Sequence, residues 1–247
     1  MQILRLCDFY FTSLGNTSIF TYFCHLNQTS DVLPTKMKQS KSAILIPEGM
    51  DKVLLHACCA PCSGAIVEWM MEQKLHPTLF FCNPNIFPHE EYVKRKEELM
   101  RHADRMGVPF VDVDDDHTEW LLRIRGLEHE PERGARCRQC FIVRLEATAK
   151  YAYEHGFGVF TTTLASSRWK NLEQITEAGR KSAAGYPGLT FWAQNWRKGG
   201  LSERRNALIK SYDFYNQTYC GCEFSLSSAR RDQQKLMANH LSSNCNE

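Results

Sequence analysis

The chain has 247 residues, 43% of them hydrophobic and 23% charged, which is enough for a buried core and unlike a disordered polymer. A formal net charge of +2 announces no nucleic-acid binder, and no run nears the roughly 20 apolar residues of a membrane span, so no membrane partner is expected. Eleven cysteines are the unusual count, and in an α/β chain of this length they argue for metal or redox chemistry over a disulfide-stapled secreted fold. Residues 1–45 hold short apolar patches without periodicity. Asp8 and the polar run 13–18 interrupt any signal-peptide core, so this segment is expected to be a poorly ordered extension and not a targeting signal.

From Asp51 the pattern becomes regular. An apolar run at 53–57 reads as a buried parallel strand, with Cys58-Cys59 at its carboxyl end. Pro61 suits a first helical turn, and 63–74 carries apolar residues at helical spacing. Strands are expected at 78–82, 110–113, 158–162 and 189–192, and helices at 90–106, 117–125, 139–155, 171–184 and 202–212. This alternation predicts an α/β fold: a Rossmann-like, mainly parallel sheet with helices on both faces and a helical C-terminal part. Ligands of such sheets sit beyond the carboxyl ends of the strands, where Cys58-Cys59, Asn83-Pro84-Asn85 and Thr161-Thr162-Thr163 fall. The expected division is an extension over 1–45, a functional domain over 46–226 and a flexible tail over 227–247.

Charge is unevenly spread. Residues 89–132 carry 13 acidic and 7 basic side chains, whereas 133–210 carry 5 and 14, so the small net charge hides a basic half. Trp169, Trp192 and Trp196 are interleaved there, a composition suited to phosphates and stacked bases, although solvated helix faces would read the same way.

The cysteines carry the chemistry. Cys58-Cys59-Ala60-Pro61-Cys62 places three thiols at a strand-to-helix turn, where the helix dipole favours thiolate. Cys137-Arg138-Gln139-Cys140 has the two-residue gap that lets both sulfurs reach one metal. Two such clusters outweigh a lone redox pair. They are compatible with structural zinc or with an iron–sulfur cluster, and a place at the substrate edge of the sheet favours a working cluster. Tyr219-Cys220-Gly221-Cys222 adds a pair one residue apart, which reads either as a strained, labile disulfide or as two further metal ligands. Cys7, Cys24 and Cys245 read as unpaired bystanders, Cys82 as a small buried hydrophobe and His56 as a strand residue.

Taken in order, 53–62, Asn83-Pro84-Asn85-Ile86, Pro131-Glu132-Arg133-Gly134, Cys137-Arg138-Gln139-Cys140 and Tyr219-Cys220-Gly221-Cys222 resemble the epoxyqueuosine reductase QueH family, from about Ile46 to Leu226. The resemblance implies an oxidoreductase, independent of cobalamin, that reduces epoxyqueuosine to queuosine at the wobble position of tRNA, the last step of queuosine biosynthesis. It implies a 4Fe–4S cluster on Cys58, Cys59, Cys137 and Cys140 and a redox-active disulfide between Cys220 and Cys222. Some members carry Asp where this chain has Cys62, and an additional iron is associated with the family, so Cys62 is a candidate ligand of that iron or a spare thiol. The implied partners are tRNA and an unidentified electron donor, in the cytoplasm. Arg168, Lys170, Arg197 and Lys198 are the candidate tRNA contacts. Two rivals remain: an ATP-dependent tRNA-modifying enzyme, which would need a glycine-rich phosphate loop where Cys58 to Cys62 stand, and a zinc-stapled RNA-binding module.

Overall fold

The computed structural model describes residues 44–113 and 116–244, and the expected extension lies outside them apart from Ile44 and Leu45, as do Cys7, Cys24 and Cys245. Five short strands form one parallel sheet: β1 (Lys52–His56), β2 (His76–Phe81), β3 (Phe110–Asp112), β4 (Val159–Thr162) and β5 (Thr190–Phe191), in the order β3-β2-β1-β4-β5. The Rossmann-like expectation is met. β1 is central, with Leu55 opposite Leu79 of β2 and Thr161 of β4. Burial on both faces explains why its residues read as a continuous apolar run instead of an alternating one.

The helices are α1 (Ala60–Glu72), α2 (His89–Met106), α3 (His117–Arg123), α4 (Ala135–Glu154), α5 (Leu172–Ala184), α6 (Leu201–Ser211) and α7 (Glu223–Asn244). α1 packs against α2 and α6, while α4 packs against α3 and α5. Right-handed crossovers put these two groups on opposite faces, because the chain runs outward from β1 through β2 to β3 and then returns to β4 on the other side. Pro61 begins α1, where its missing N–H costs nothing. Asn171 caps α5 by accepting from the backbone N–H groups of Glu173 and Gln174. Gly179 lets α5 close on β5, since a Cβ there would lie 2.4 Å from the Phe191 ring.

Three places differ from the sequence expectations. α4 begins at Ala135, ahead of the expected 139, and so takes Cys137 into its first turn. Residues 227–244, read as tail, continue α7 as helix, and its side chains are exposed from Arg231 to Ala238. Ile44 packs on the core and Leu45 O accepts from Trp192 Nε1 at 3.1 Å, so the domain reaches just ahead of Ile46. No helix among the described residues is long and apolar enough to cross a membrane.

Candidate active site

The sheet order reverses direction between β1 and β4, which opens a crevice at their carboxyl ends. β1 delivers Cys58 and Cys59 into that crevice, and the first turn of α1 adds Cys62. The three sulfurs lie within 4.8 Å of one another and could hold a metal ion. Cys58 Sγ is 3.8 Å from Cys59 Sγ and 3.8 Å from Thr163 Oγ1, at the end of β4. Cys59 donates to Gln217 Oε1 at 3.2 Å. His56 is not a ligand here: Nδ1 lies 2.8 Å from Thr162 Oγ1 and Nε2 3.2 Å from Cys82 O, and burial holds its pKa down at about 3. It is the buried strand residue the sequence suggested.

Electrostatics sort these thiols. Hydrogen bonds from Cys59 and Cys62, then the charges of Lys170 and Arg144, draw Cys58 well below the ordinary thiol range. Burial pushes Cys59 up, and its hydrogen bond to Cys58 pushes Cys62 up to about 11. Of the three thiols Cys58 is thus the one most disposed to ionise, and a soft cation entering the triad would displace the protons of its neighbours.

A second group lies beside it. Cys137 and Cys140 from α4, with Cys220 and Cys222 from the segment ahead of α7, line one small cavity together with Asn85, Trp120, Arg136 and Arg144. Burial raises Cys137 and Cys222 and pushes Cys140 up to about 12. The candidate set Cys58, Cys59, Cys137 and Cys140 is thus divided between two adjoining groups, and buried Arg144 joins them. Although burial opposes its charge, Cys140, Cys58 and Cys220 all favour the guanidinium. Asn83 orients it, accepting from Arg144 Nη2 while donating to Ala57 O at 2.9 Å. This explains the Asn-Pro-Asn turn: it fixes a cation between two sets of thiols.

The Cys220-Gly221-Cys222 loop is held from outside. Buried Arg95 of α2 donates to Cys220 O at 3.2 Å and Tyr219 O at 3.3 Å, and its Nε donates to Glu91 Oε1 at 2.7 Å. Phe87 N–H donates to Gly221 O at 2.8 Å. Gly221 has φ +132°, and a Cβ there would stand 3.2 Å from Arg95 Nη1, so only glycine fits without strain. Cys220 is exposed and Cys222 buried.

Residues 53–228 match the family model described as epoxyqueuosine reductase QueH. The chain belongs to that family. The epoxyqueuosine reductase QueH of Acinetobacter baylyi is 46% identical over 195 residues, spanning 79% of this chain and 89% of the relative. That of Histophilus somni is 47% identical over 186 residues, 75% and 76% of the two chains. The more distant Thermotoga maritima protein is 33% identical over 190 residues, 76% and 96% of the two.

The candidate tRNA contacts of this QueH-family chain are unequally placed. Arg168 and Lys198 are exposed, and the Arg168 guanidinium lies 4.9 Å from the centre of the Trp169 ring, itself 65% exposed. Arg197 is tied down, donating to Lys170 O at 2.9 Å. Against the opposing effect of burial, Cys220, Cys58 and Cys62 hold the Lys170 ammonium above its ordinary range, so this residue belongs electrostatically to the thiols. Trp192 and Trp196 correct the sequence reading: both are buried and pack edge-on to each other at 5.0 Å, so they are core and not base-stacking surface. Arg95, Arg144 and Trp120 were missed altogether. Of the three, only Arg144 had a visible cue, its position one turn beyond Cys140 on a helix.

Proposed function

We propose that this chain performs its chemistry in the thiol crevice with an iron–sulfur cluster held by Cys58, Cys59, Cys137 and Cys140, Cys62 being available to a further iron. The reaction is the reduction of epoxyqueuosine to queuosine in tRNA. The observation that carries the reading is the gathering of seven thiols from three separated segments at the switch point of a parallel sheet. Soft sulfur donors without a carboxylate lining the cavity suit iron–sulfur chemistry, and the buried Trp120 Nε1–H and the Nε–H of Arg136 and Arg144 lack acceptors among the described residues, as expected of walls shaped around an anionic sulfur-rich group. When bound, such a cluster supplies single electrons and Lewis acidity without cobalamin.

Loss of an epoxide oxygen as water, leaving an alkene, consumes two electrons and two protons. Two thiols closing to a disulfide release the same numbers, and Cys220 with Cys222 is the pair assigned that role; an external donor, of unspecified identity, reopens the disulfide. Exposed Cys220 is open to such a donor, while buried Cys222 faces the cavity. The charges of Lys170 and Arg144 stabilise negative charge developing on the leaving oxygen. Exposed Arg168, Trp169 and Lys198 are the residues assigned to meet the RNA, and a tRNA substrate fits a cytoplasmic protein.

The test is incubation of anaerobically purified protein and a reductant with epoxyqueuosine-containing tRNA, followed by nucleoside mass spectrometry. Conversion to queuosine in step with iron and sulfide content is expected. Unchanged epoxyqueuosine with protein that holds iron and sulfide would overturn the assignment. Zinc in place of iron and sulfide would return the chain to the stapled RNA-binding reading.

A further inference from the structure

Three N–H groups around the cavity shared by Cys137, Cys140, Cys220 and Cys222 have no hydrogen-bond partner among the described residues: Trp120 Nε1, Arg136 Nε and Arg144 Nε. The arginines satisfy other N–H groups. Arg136 Nη1 donates to Glu128 O at 2.7 Å, and Arg144 Nη2 donates to Asn83. Trp120 has no such outlet. It is 1% exposed, its indole has a single N–H and no acceptor, and its packing neighbours include Cys140 and Cys222. The ring is nonetheless firmly placed. His117 stacks on it at 5.5 Å, and His117 Nδ1 in turn lies 2.6 Å from Pro84 O, which ties α3 to the Asn83-Pro84-Asn85 turn.

A fixed, buried donor that lines one cavity with two thiol pairs and meets no acceptor among the described residues is available to something the thiols hold. We propose that Trp120 sets the reduction potential of the sulfur-rich metal group in this crevice, its indole N–H donating to a sulfur of that group. This rests on the iron–sulfur reading above. A hydrogen bond to sulfur favours the more negative, reduced state and so raises the potential. Trp120 is the informative residue of the three because it is neutral. Its N–H can be removed without removing a charge.

The experiment is an EPR-monitored redox titration of the intact protein against Trp120→Phe, with iron and sulfide measured on both. The phenyl ring keeps an aromatic partner for His117 and deletes the donor. The expected result is full iron content and a reduction equilibrium about tenfold less favourable, a shift of about 59 mV to more negative potential for one electron. Iron and sulfide at wild-type levels with an unmoved potential would overturn the proposal and leave the cluster reading standing. A wild-type protein free of iron and sulfide would overturn both. If Trp120→Phe loses iron, the titration is repeated with benzothienylalanine at position 120, which keeps the bicyclic shape without the N–H. A wild-type potential in that protein overturns the proposal, and the same negative shift supports it.

Discussion

Cys58 and Cys137 stand in different thiol groups, yet one centre is assigned to both. Cys58 is drawn toward thiolate by its two thiol neighbours, whereas Cys137 is half-buried and receives the backbone N–H of Arg133 at 3.2 Å. If they share a cluster, Cys58→Ala and Cys137→Ala each lose most of the bound iron, read by metal analysis and by the loss of visible absorbance after anaerobic purification. Retention of iron by one variant alone would restrict the ligands to the other group. On the proposed reading Cys220 and Cys222 carry electrons and do not anchor the metal, so they are expected to behave differently. The double variant Cys220→Ser/Cys222→Ser should keep its iron and lose turnover by orders of magnitude. Loss of iron would make the pair ligands, and unimpaired turnover would remove it from the reaction.

α2 shows how much of the site is built by elements that contribute no thiol. Its run of Lys, Arg and Glu reads as a solvated face, yet Arg95 is 2% exposed and grips the carbonyls of Tyr219 and Cys220. Removing one member of a buried ion pair strands the other charge, so Arg95→Met is expected to destabilise the fold by about 3–5 kcal/mol in urea titrations. Turnover should fall beyond what the unfolded fraction explains, because the Cys220-Gly221-Cys222 loop loses its support. The five strands were legible because each is a short apolar run ending at a polar turn, and the thiol clusters because their spacing is itself a chemical signal. The start of α4 was not, since Gly134 caps it without a side-chain hydrogen bond. Arg95, Arg144 and Trp120 were hidden for another reason: each owes its role to a partner on a distant segment. Trp192 and Trp196 misled for the same reason in reverse, because proximity to basic residues in sequence did not bring them to the surface.

Charge is divided along the chain, acidic over 89–132 and basic over 133–210. If exposed Arg168 and Lys198 meet phosphates, tRNA affinity falls steeply with salt, and Arg168→Ala or Lys198→Ala each flattens the log–log slope by about one. Binding titrations across a salt series check this, and an unchanged slope in both variants would leave these charges as a solvated face. Arg197, whose guanidinium already holds Lys170 O, should act more on stability than on that slope. One further consequence follows from how far apart the crevice's contributors lie: Cys59 meets Gln217 across 158 residues, and α4 and the segment ahead of α7 complete the ring. During synthesis the first thiols emerge early and wait for the last. On the proposed ligand set, Cys58 and Cys59 meet Cys137 and Cys140 only once β1 and α4 have packed, so metal insertion would follow the folding of the sheet. A cluster held that way would act as a lock, stabilising only molecules whose distant segments have met.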